Sequence, residues 1–390
     1  MRSQIDKMVN SLININIAGD FFLPNLEGWS FDTALSVLLQ DGDVNVINFE
    51  APVRTEEAVP IKKSGPSLCQ DAQAPQWLIK KGFNLFDCAN NHIYDFGAAA
   101  LHKTLDSIAF PAQAVGVGDF HDAYSIKAIE VKGKKIGFLA LTQYEFGVHD
   151  DEMYTHQEFK AAWMCHPIVD EIICNAHSQC DILIVLPHAG LEHFSLPLPE
   201  IRTLYRHFIS MGADAVVASH PHVPQPWEEY QGKPIFYSLG NFCFDMPVQN
   251  RPLWNQGLIA QLQIDTSGKV GCKTFPVKFS VSQKCVSLYN NEDLNSYLDK
   301  LNEDFRNETI YIDTINKHCL SLYPLYQTIM EMGGYYQVFS LHKAASLLKK
   351  IIVAVIKKTA EQYNEAHFVN TMRCETHRWV MSRIYELKNR

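Results

Sequence analysis

Apolar and polar positions alternate between two rhythms along the first two thirds of the chain. Short β-branched runs predict strands at Ile13 to Ala18 (ININIA), Asp43 to Phe49 (DVNVINF) and Phe83 to Ala89. Three more lie at Asp181 to Leu186 (DILIVL), Ala215 to Ala218 and Ile235 to Leu239. Between these runs, apolar residues recur three and four positions apart. That spacing predicts helices at Trp77 to Lys81, Ala98 to Ile108, Ile168 to Ser178 and Glu200 to Met211. Gly212 is placed to cap the last of them. Ala128 to Val131 and Lys135 to Thr142 flank a Lys132-Gly133-Lys134 turn and read as a hairpin. Residues 255–283 are β-rich, and the chain turns helical past 285–292. The order predicts an α/β fold: two packed sheets with helices outside them over residues 1–288, then a helical C-terminal region over 289–390.

Composition narrows the function classes. The 390 residues carry a net charge of −9, which disfavours a non-specific nucleic-acid binder. It does not disfavour an anionic substrate, small or polymeric, because a bound cation supplies positive charge locally. The ten cysteines form no CxxC pair and read as buried thiols of a reducing compartment. No apolar stretch is long enough to span a bilayer; the longest run, Ile351 to Ile356, is flanked by the pairs Lys349-Lys350 and Lys357-Lys358. Those lysines scatter around a helix and read as a solvated face. A cytoplasmic protein without a membrane span is expected.

Candidate chemistry sits at strand ends. Gly19-Asp20, Asn48-Phe49-Glu50, Asn90-Asn91-His92 with Asp95, His188 with Glu192, and His220-Pro221-His222 each follow an apolar run. An open α/β sheet presents its functional loops at such positions. One histidine after a strand is usually structural. Carboxylate, amide and imidazole groups at five strand ends point to a divalent cation, one ion or two, of the Mn, Fe or Zn kind. An all-oxygen Ca or Mg cage has no need of three histidines. Pro221 biases His220 toward an extended backbone, in which residues two apart share a face. His220 and His222 are therefore expected to address one site from an extended segment. Asp95 is read either as the group that orients His92 or as the N-cap of the helix after it.

These residues resemble a known family. Asn48-Phe49-Glu50-Ala51-Pro52 is similar to the N-x-E-x-P of bacterial CapA proteins, which are linked to capsule and poly-γ-glutamate synthesis. Cys88 to Gly97 (CANNHIYDFG) resembles their A-N-N-H-x-x-D-x-G, and His188 to Glu192 their H-x-G-x-E. Ser219 to Asp245 resembles H-P-H-V-x-Q-x-x-E followed by Y-S-L-G-N-F-x-F. The motifs keep the family order from Asp20 to Asp245, and the tail lies outside the resemblance.

That family is similar in fold to calcineurin-like metallophosphoesterases, which implies an α/β/β/α sandwich. The resemblance makes Asp20, Glu50, Asn91, His188, His220 and His222 metal ligands, with His92 the general acid and Asp95 behind it. Where metallophosphoesterases carry a histidine two residues after the first aspartate, this chain has Phe22, and the bridging aspartate is Glu50. Both departures put a second metal in doubt. Glu192, Gln225, Glu228 and Asn241 are expected to line the pocket or stand behind the ligands. Lys63 is expected to meet an anionic substrate group, or else to be a solvated loop lysine. The functional expectation is a metal-dependent phosphoester hydrolase serving capsule or poly-γ-glutamate synthesis. The alternatives are amide hydrolysis, or a non-catalytic component of a polymer synthesis or export complex docked through the C-terminal helices.

Overall fold

A computed structural model describes residues 12–56, 58–149, 158–246, 251–289, 292–333 and 358–389. Two large sheets face each other. The first runs in the order Ser30–Phe31, Cys285–Leu288, Val270–Ser280, Gln256–Ile264, Ile13–Phe22, Val44–Phe49, Leu85–Asp87 and Gln113–Val115. Asn241–Phe244 pairs in parallel with the far end of Ile13–Phe22. The second runs Trp227–Tyr230, Lys233–Phe236, Ala215–Val217, Ile182–His188, Lys134–Thr142 and Lys127–Val131. Ile15, Val46 and Leu85 from one sheet meet Phe138, Ile184 and Val217 from the other in a dry seam.

Strands covered on both faces must be apolar on both. This is why Val44–Phe49 and Ile182–His188 are buried along their whole length. Helices Thr33–Gln40, Ala74–Lys80 and Gly97–Ser107 cover the outside of the first sheet through Leu35, Leu39, Leu78 and Leu101. Ile168–Asn175 and Pro199–Met211 cover the second through Val169, Ile173, Tyr205 and Phe208. The result is the expected α/β/β/α sandwich.

Most predicted elements fall within a residue or two of the observed ones. The hairpin over Lys132-Gly133 forms, with both residues at positive φ. The first strand differs. It does not stop at Gly19-Asp20 but runs through a register shift to Phe22. Glycine and aspartate are poor strand residues, so the sequence pattern breaks there. Tertiary packing decides otherwise: a Cβ on Gly19 would lie 1.9 Å from the carbonyl oxygen of Gly240, which accepts a bond from the Asp20 amide at 3.0 Å. Glycine is needed for that approach. Gly19→Ala is expected to cost at least about 1–3 kcal/mol, because backbone atoms must move. Denaturant unfolding checks it, and an unchanged midpoint would mean the close approach is not required. Helix Thr33–Gln40 was not expected; Asp32 caps it, accepting from the Leu35 amide at 2.7 Å.

Strands end at Leu288 and helices resume at Glu292. Helices Glu292–Arg306, Glu308–Gly333, Lys358–Arg373 and Glu375–Lys388 form the tail. Leu301, Phe305, Tyr311, Ile315, Val380 and Ile384 join the same apolar cluster as Tyr205 and Phe208. The tail therefore shares a core with the second sheet. The Ile351 to Ile356 run, Lys349, Lys350 and Lys357 lie outside the described residues, and nothing about Lys358's side chain is described. Among the described residues no helix is long and apolar enough to cross a membrane. All ten cysteines are unpaired.

Candidate metal centre

Parallel strands of both sheets end on one side of the sandwich, and the candidate ligands sit there. Asp20 occupies the irregular point of the first strand, Glu50 follows Val44–Phe49, and Asn91 and His92 follow Leu85–Asp87. His188 ends Ile182–His188, and His220 and His222 follow Ala215–Val217. The six proposed ligands converge. His222 Nδ1 lies 3.2 Å from Asp20 Oδ2, and its Nε2 lies 3.7 Å from Glu50 Oε1. His188 Nε2 is 3.0 Å from Asn91 Oδ1, 3.1 Å from His220 Nδ1 and 3.9 Å from Glu50 Oε1. Asp20, Glu50 and His188 are 0% exposed.

The route to this convergence is not the expected one. His220 and His222 have φ of +102° and +59°, so the segment is no extended strand with alternating faces. Their rings meet because two left-handed residues fold the loop back on itself, a conformation that costs a non-glycine residue about 1–3 kcal/mol. Ala51 (φ +117°), beside Glu50, and His193 (φ +61°), beside Glu192, show the same strain. Half of the eight positive-φ non-glycine residues among those described thus flank this one site. Such clustering is typical of functional loops held by their surroundings.

Electrostatics say what the cluster lacks. Both Glu50 oxygens and His188 Nδ1 are buried without a hydrogen-bond partner, and Asp20 Oδ2 faces the His222 ring at 3.2 Å. A buried polar atom left unpaired costs about 1–3 kcal/mol, and more when charged. Burial pushes the Glu50 carboxyl well above its usual range. Burial, then the neighbouring imidazoles of His220 and His222, push His188 well below its own. Burial would also depress His222, but the Glu50 and Asp20 carboxylates outweigh it and raise the imidazole to about 10. In the metal-free chain a proton on His222 thus answers the two carboxylates. Unpaired carboxylate oxygens facing imidazoles and an amide oxygen fit a divalent cation of the borderline class.

His92 stands at the edge of this set. Its Nδ1 lies 2.7 Å from Asp95 Oδ2 and 3.0 Å from Lys63 Nζ. Asp95 also pairs with Lys63 through Oδ1 and accepts from the Leu68 amide at 2.7 Å. It caps no helix: the following helix starts at Gly97 behind Phe96, with no side-chain cap bond. Lys63 is not a solvated loop lysine, since its side chain is 4% exposed and ion-paired. Burial and the Lys63 charge lower the His92 imidazole against the opposing pull of Asp95. Lys63→Met is expected to destabilise the fold by about 3–5 kcal/mol, because it leaves Asp95 buried with one partner lost. Unfolding in denaturant reads this directly, and a change below about 1 kcal/mol would show that the pair is solvated.

Residues 21–246 match the family model described as bacterial capsule synthesis protein PGA_cap. The chain belongs to this family. It is 29% identical over 220 residues to the capsule biosynthesis protein CapA of Bacillus anthracis, covering 54% of this chain and 53% of that protein. It is 32% identical over 202 residues to the PGA biosynthesis protein CapA of Bacillus subtilis, covering 51% and 52%. The chain thus spans about half the length of these curated relatives. A solved structure of the NAD nucleotidase of Haemophilus influenzae aligns at a TM-score of 0.40 and 13% identity, over 75% of this chain and 56% of that one. The sandwich itself stands on this chain's own strand pairing.

In this PGA_cap chain the remaining candidates separate. Glu192 lines the cavity beside the cluster, about 400 Å³ in volume, with its half-exposed carboxylate 3.3 Å from His193. Glu228 does not line it. Its carboxylate is held by Arg206 at 2.8 and 2.6 Å and by Tyr237 at 2.6 Å, which ties an edge strand to helix Pro199–Met211. Gln225 is buried behind the site and donates to the Phe194 carbonyl at 2.8 Å, bracing the loop that carries Glu192. Asn241 contacts His222 Nδ1 at 2.9 Å and donates to the Trp254 carbonyl at 2.9 Å, so it positions a ligand and does not line the cavity. Phe22 packs on Phe244 at 5.1 Å and offers no ligand atom.

Gln143 was missed. Its side-chain amide lies 3.0 Å from His220 Nε2, with His220 Nδ1 facing the cluster, and its Oε1 accepts from the Gly190 amide at 3.1 Å. It follows Lys134–Thr142, so the strand-end rule that found the other clusters also marks it. The tail's share of the cavity, through Tyr326, Asn370 and His377, had no such signal.

Proposed function

We propose that this PGA_cap chain is a metal-dependent hydrolase acting on a phosphoester, in the service of capsule or poly-γ-glutamate synthesis. The observation that carries the reading is the pair of fully buried carboxylates, Asp20 and Glu50, among three imidazoles, with neither Glu50 oxygen hydrogen-bonded. Asp20, Glu50, Asn91, His188, His220 and His222 would hold the cation, one ion or two. When bound, it supplies Lewis acidity and an activated water.

The chain's own residues do the rest. Asp95 holds His92 at Nδ1, with Lys63 ion-paired to the same carboxylate, which leaves Nε2 to hand a proton to the leaving group. Gln143 fixes the His220 ring, and Asn241 fixes His222. Glu192 at the cavity mouth disfavours a second negative charge there and so biases how an anionic substrate enters.

The polymer association rests on the printed names of the relatives. Metal analysis of the purified protein, followed by a panel of p-nitrophenyl phosphate esters and γ-glutamyl peptides, tests the reading. Stoichiometric Mn, Fe or Zn with ester turnover that a chelator abolishes is the expected result. Peptide cleavage in place of ester turnover would replace the phosphoester by an amide. Phe22 favours a second reading, a non-catalytic partner in a polymer synthesis complex, because an aromatic pair fills the place of a ligand. Bound metal without turnover of either substrate class would support it.

A further inference from the structure

The tail meets the core at a second group of ligand-type side chains. Glu145, Cys374 and His377 each bring a ligand atom within 4.8 Å of the other two. Glu145 and Cys374 are buried, and His377 is half-buried. None of the three belongs to the first cluster, and that cluster contains no sulfur.

We propose that Glu145, Cys374 and His377 form a separate zinc site that fastens the C-terminal helices to the catalytic sandwich.

Local geometry prepares the ligands. Cys374 and His377 stand three residues apart across the start of helix Glu375–Lys388, a spacing that puts two side chains on one face. Cys374 occupies the N-cap position, and its sulfur already faces the Glu145 carboxyl and the backbone amides of Thr376 and His377. A helix N-terminus favours the thiolate that a metal requires. His377 Nδ1 is engaged by the Tyr326 hydroxyl at 2.7 Å, which fixes the ring and leaves Nε2 for a cation.

The surrounding backbone is already pinned. Arg373 donates to the Glu145 carbonyl at 3.0 Å, and the Tyr144 amide donates to Glu375 at 2.9 Å. Thr376 donates to Gln143 at 2.9 Å. Three of the four tail residues 373–376, Arg373, Glu375 and Thr376, are thereby tied to the loop 143–145 that carries the third ligand.

The donor set selects the cation. Thiolate, imidazole and carboxylate together suit zinc and exclude a calcium or magnesium cage. Glu145 and His377 both line the cavity, so a fourth coordination position opens into it. Three protein ligands with one open position is how zinc holds an exchangeable ligand. Without metal, burial keeps the Cys374 thiol protonated and raises Glu145 to about 7. Zinc binding releases the thiol proton to solvent.

Cobalt(II) separates this site from the first, because only a cysteine ligand gives a thiolate-to-cobalt charge-transfer band in the near ultraviolet. The full-length, metal-stripped protein is titrated with cobalt(II) chloride. The wild type is expected to show the band, and Cys374→Ser to lose it while binding one equivalent fewer of zinc. His377→Gln keeps the thiol and is expected to weaken cobalt binding at this band at least tenfold. Glu50→Gln, which disables the first cluster, is expected to leave the band in place, so failure of the hydrolase reading would not touch it. No band at saturating cobalt in the wild type, or a band that survives Cys374→Ser, overturns the proposal. So does an unchanged band in folded His377→Gln, which settles the matter even if the serine variant fails to fold.

Discussion

Replacing His92 by alanine is expected to cut turnover by about 10²–10⁴-fold while leaving the metal content intact, the loss typical of one general acid. The expectation follows from where the ring is held. Asp95 Oδ2 lies 2.7 Å from Nδ1 with Lys63 ion-paired to the same carboxylate, and neither belongs to the ligand cluster. Removing the ring therefore takes away a proton donor without opening the cation's own shell. The deficit should be largest with poor leaving groups, because they depend most on protonation. It should shrink with p-nitrophenolate, which leaves without help. Metal content and kcat measured on the same preparation decide it. An H92A protein that keeps both its metal and its full rate across the leaving-group series would strip His92 of the acid role. Loss of metal together with rate would make it a ligand or a ligand's support.

Glu50→Gln is expected to remove turnover entirely and to uncouple stability from metal. A ligand that binds only the folded state stabilises it by about 2.7 kcal/mol at a hundredfold excess over Kd. Wild-type protein should therefore unfold at a lower temperature in chelator than with excess manganese, and the E50Q protein should show no such difference. The chelated forms should differ in the unusual direction. Both Glu50 oxygens are fully buried without a hydrogen bond, so a neutral amide there removes a carboxylate that the metal-free chain answers only with a proton on His222. The chelated variant is expected to match or exceed the chelated wild type in midpoint. Marked destabilisation in chelator would instead make Glu50 a structural acid, and a persistent metal-dependent rise would exclude it from the ligand set. Trade-offs of this sign are what a buried site built for a cation should show.

Much of this molecule was legible one segment at a time. Strands of β-branched residues covered on both faces read directly from DILIVL and DVNVINF, because burial on both sides demands apolar residues at every position. The ligand types were legible for a related reason. Functional groups cluster where strands of an α/β sheet end, which marks the five polar clusters without knowing how the sheets stack, and the family resemblance then singles out Asp20, Glu50, Asn91, His188, His220 and His222 among them. Local rules do not settle how distant segments pack. An extended backbone was assigned to His220-Pro221-His222 from the proline, yet the observed left-handed turns are imposed by the packing around the loop. Glu228, the last residue of the H-P-H-V-x-Q-x-x-E motif, is expected to line the pocket or stand behind the ligands, whereas its carboxylate is held by Arg206 on the outer helix layer.

By itself, then, the sequence determined which elements form, which strands are buried on both faces, and which polar groups stand at their ends. Each of these follows from residue chemistry acting over one or two turns or a single strand. Only the tertiary structure decided that six such groups converge on one site where the Glu50 oxygens are left without hydrogen bonds, and that Lys63 is sequestered against Asp95. It alone brought a helical tail more than a hundred residues downstream to wall the same cavity and place Cys374 and His377 beside Glu145. Contacts between distant segments depend on how whole layers pack, and the spacing of residues along the chain carries no record of that.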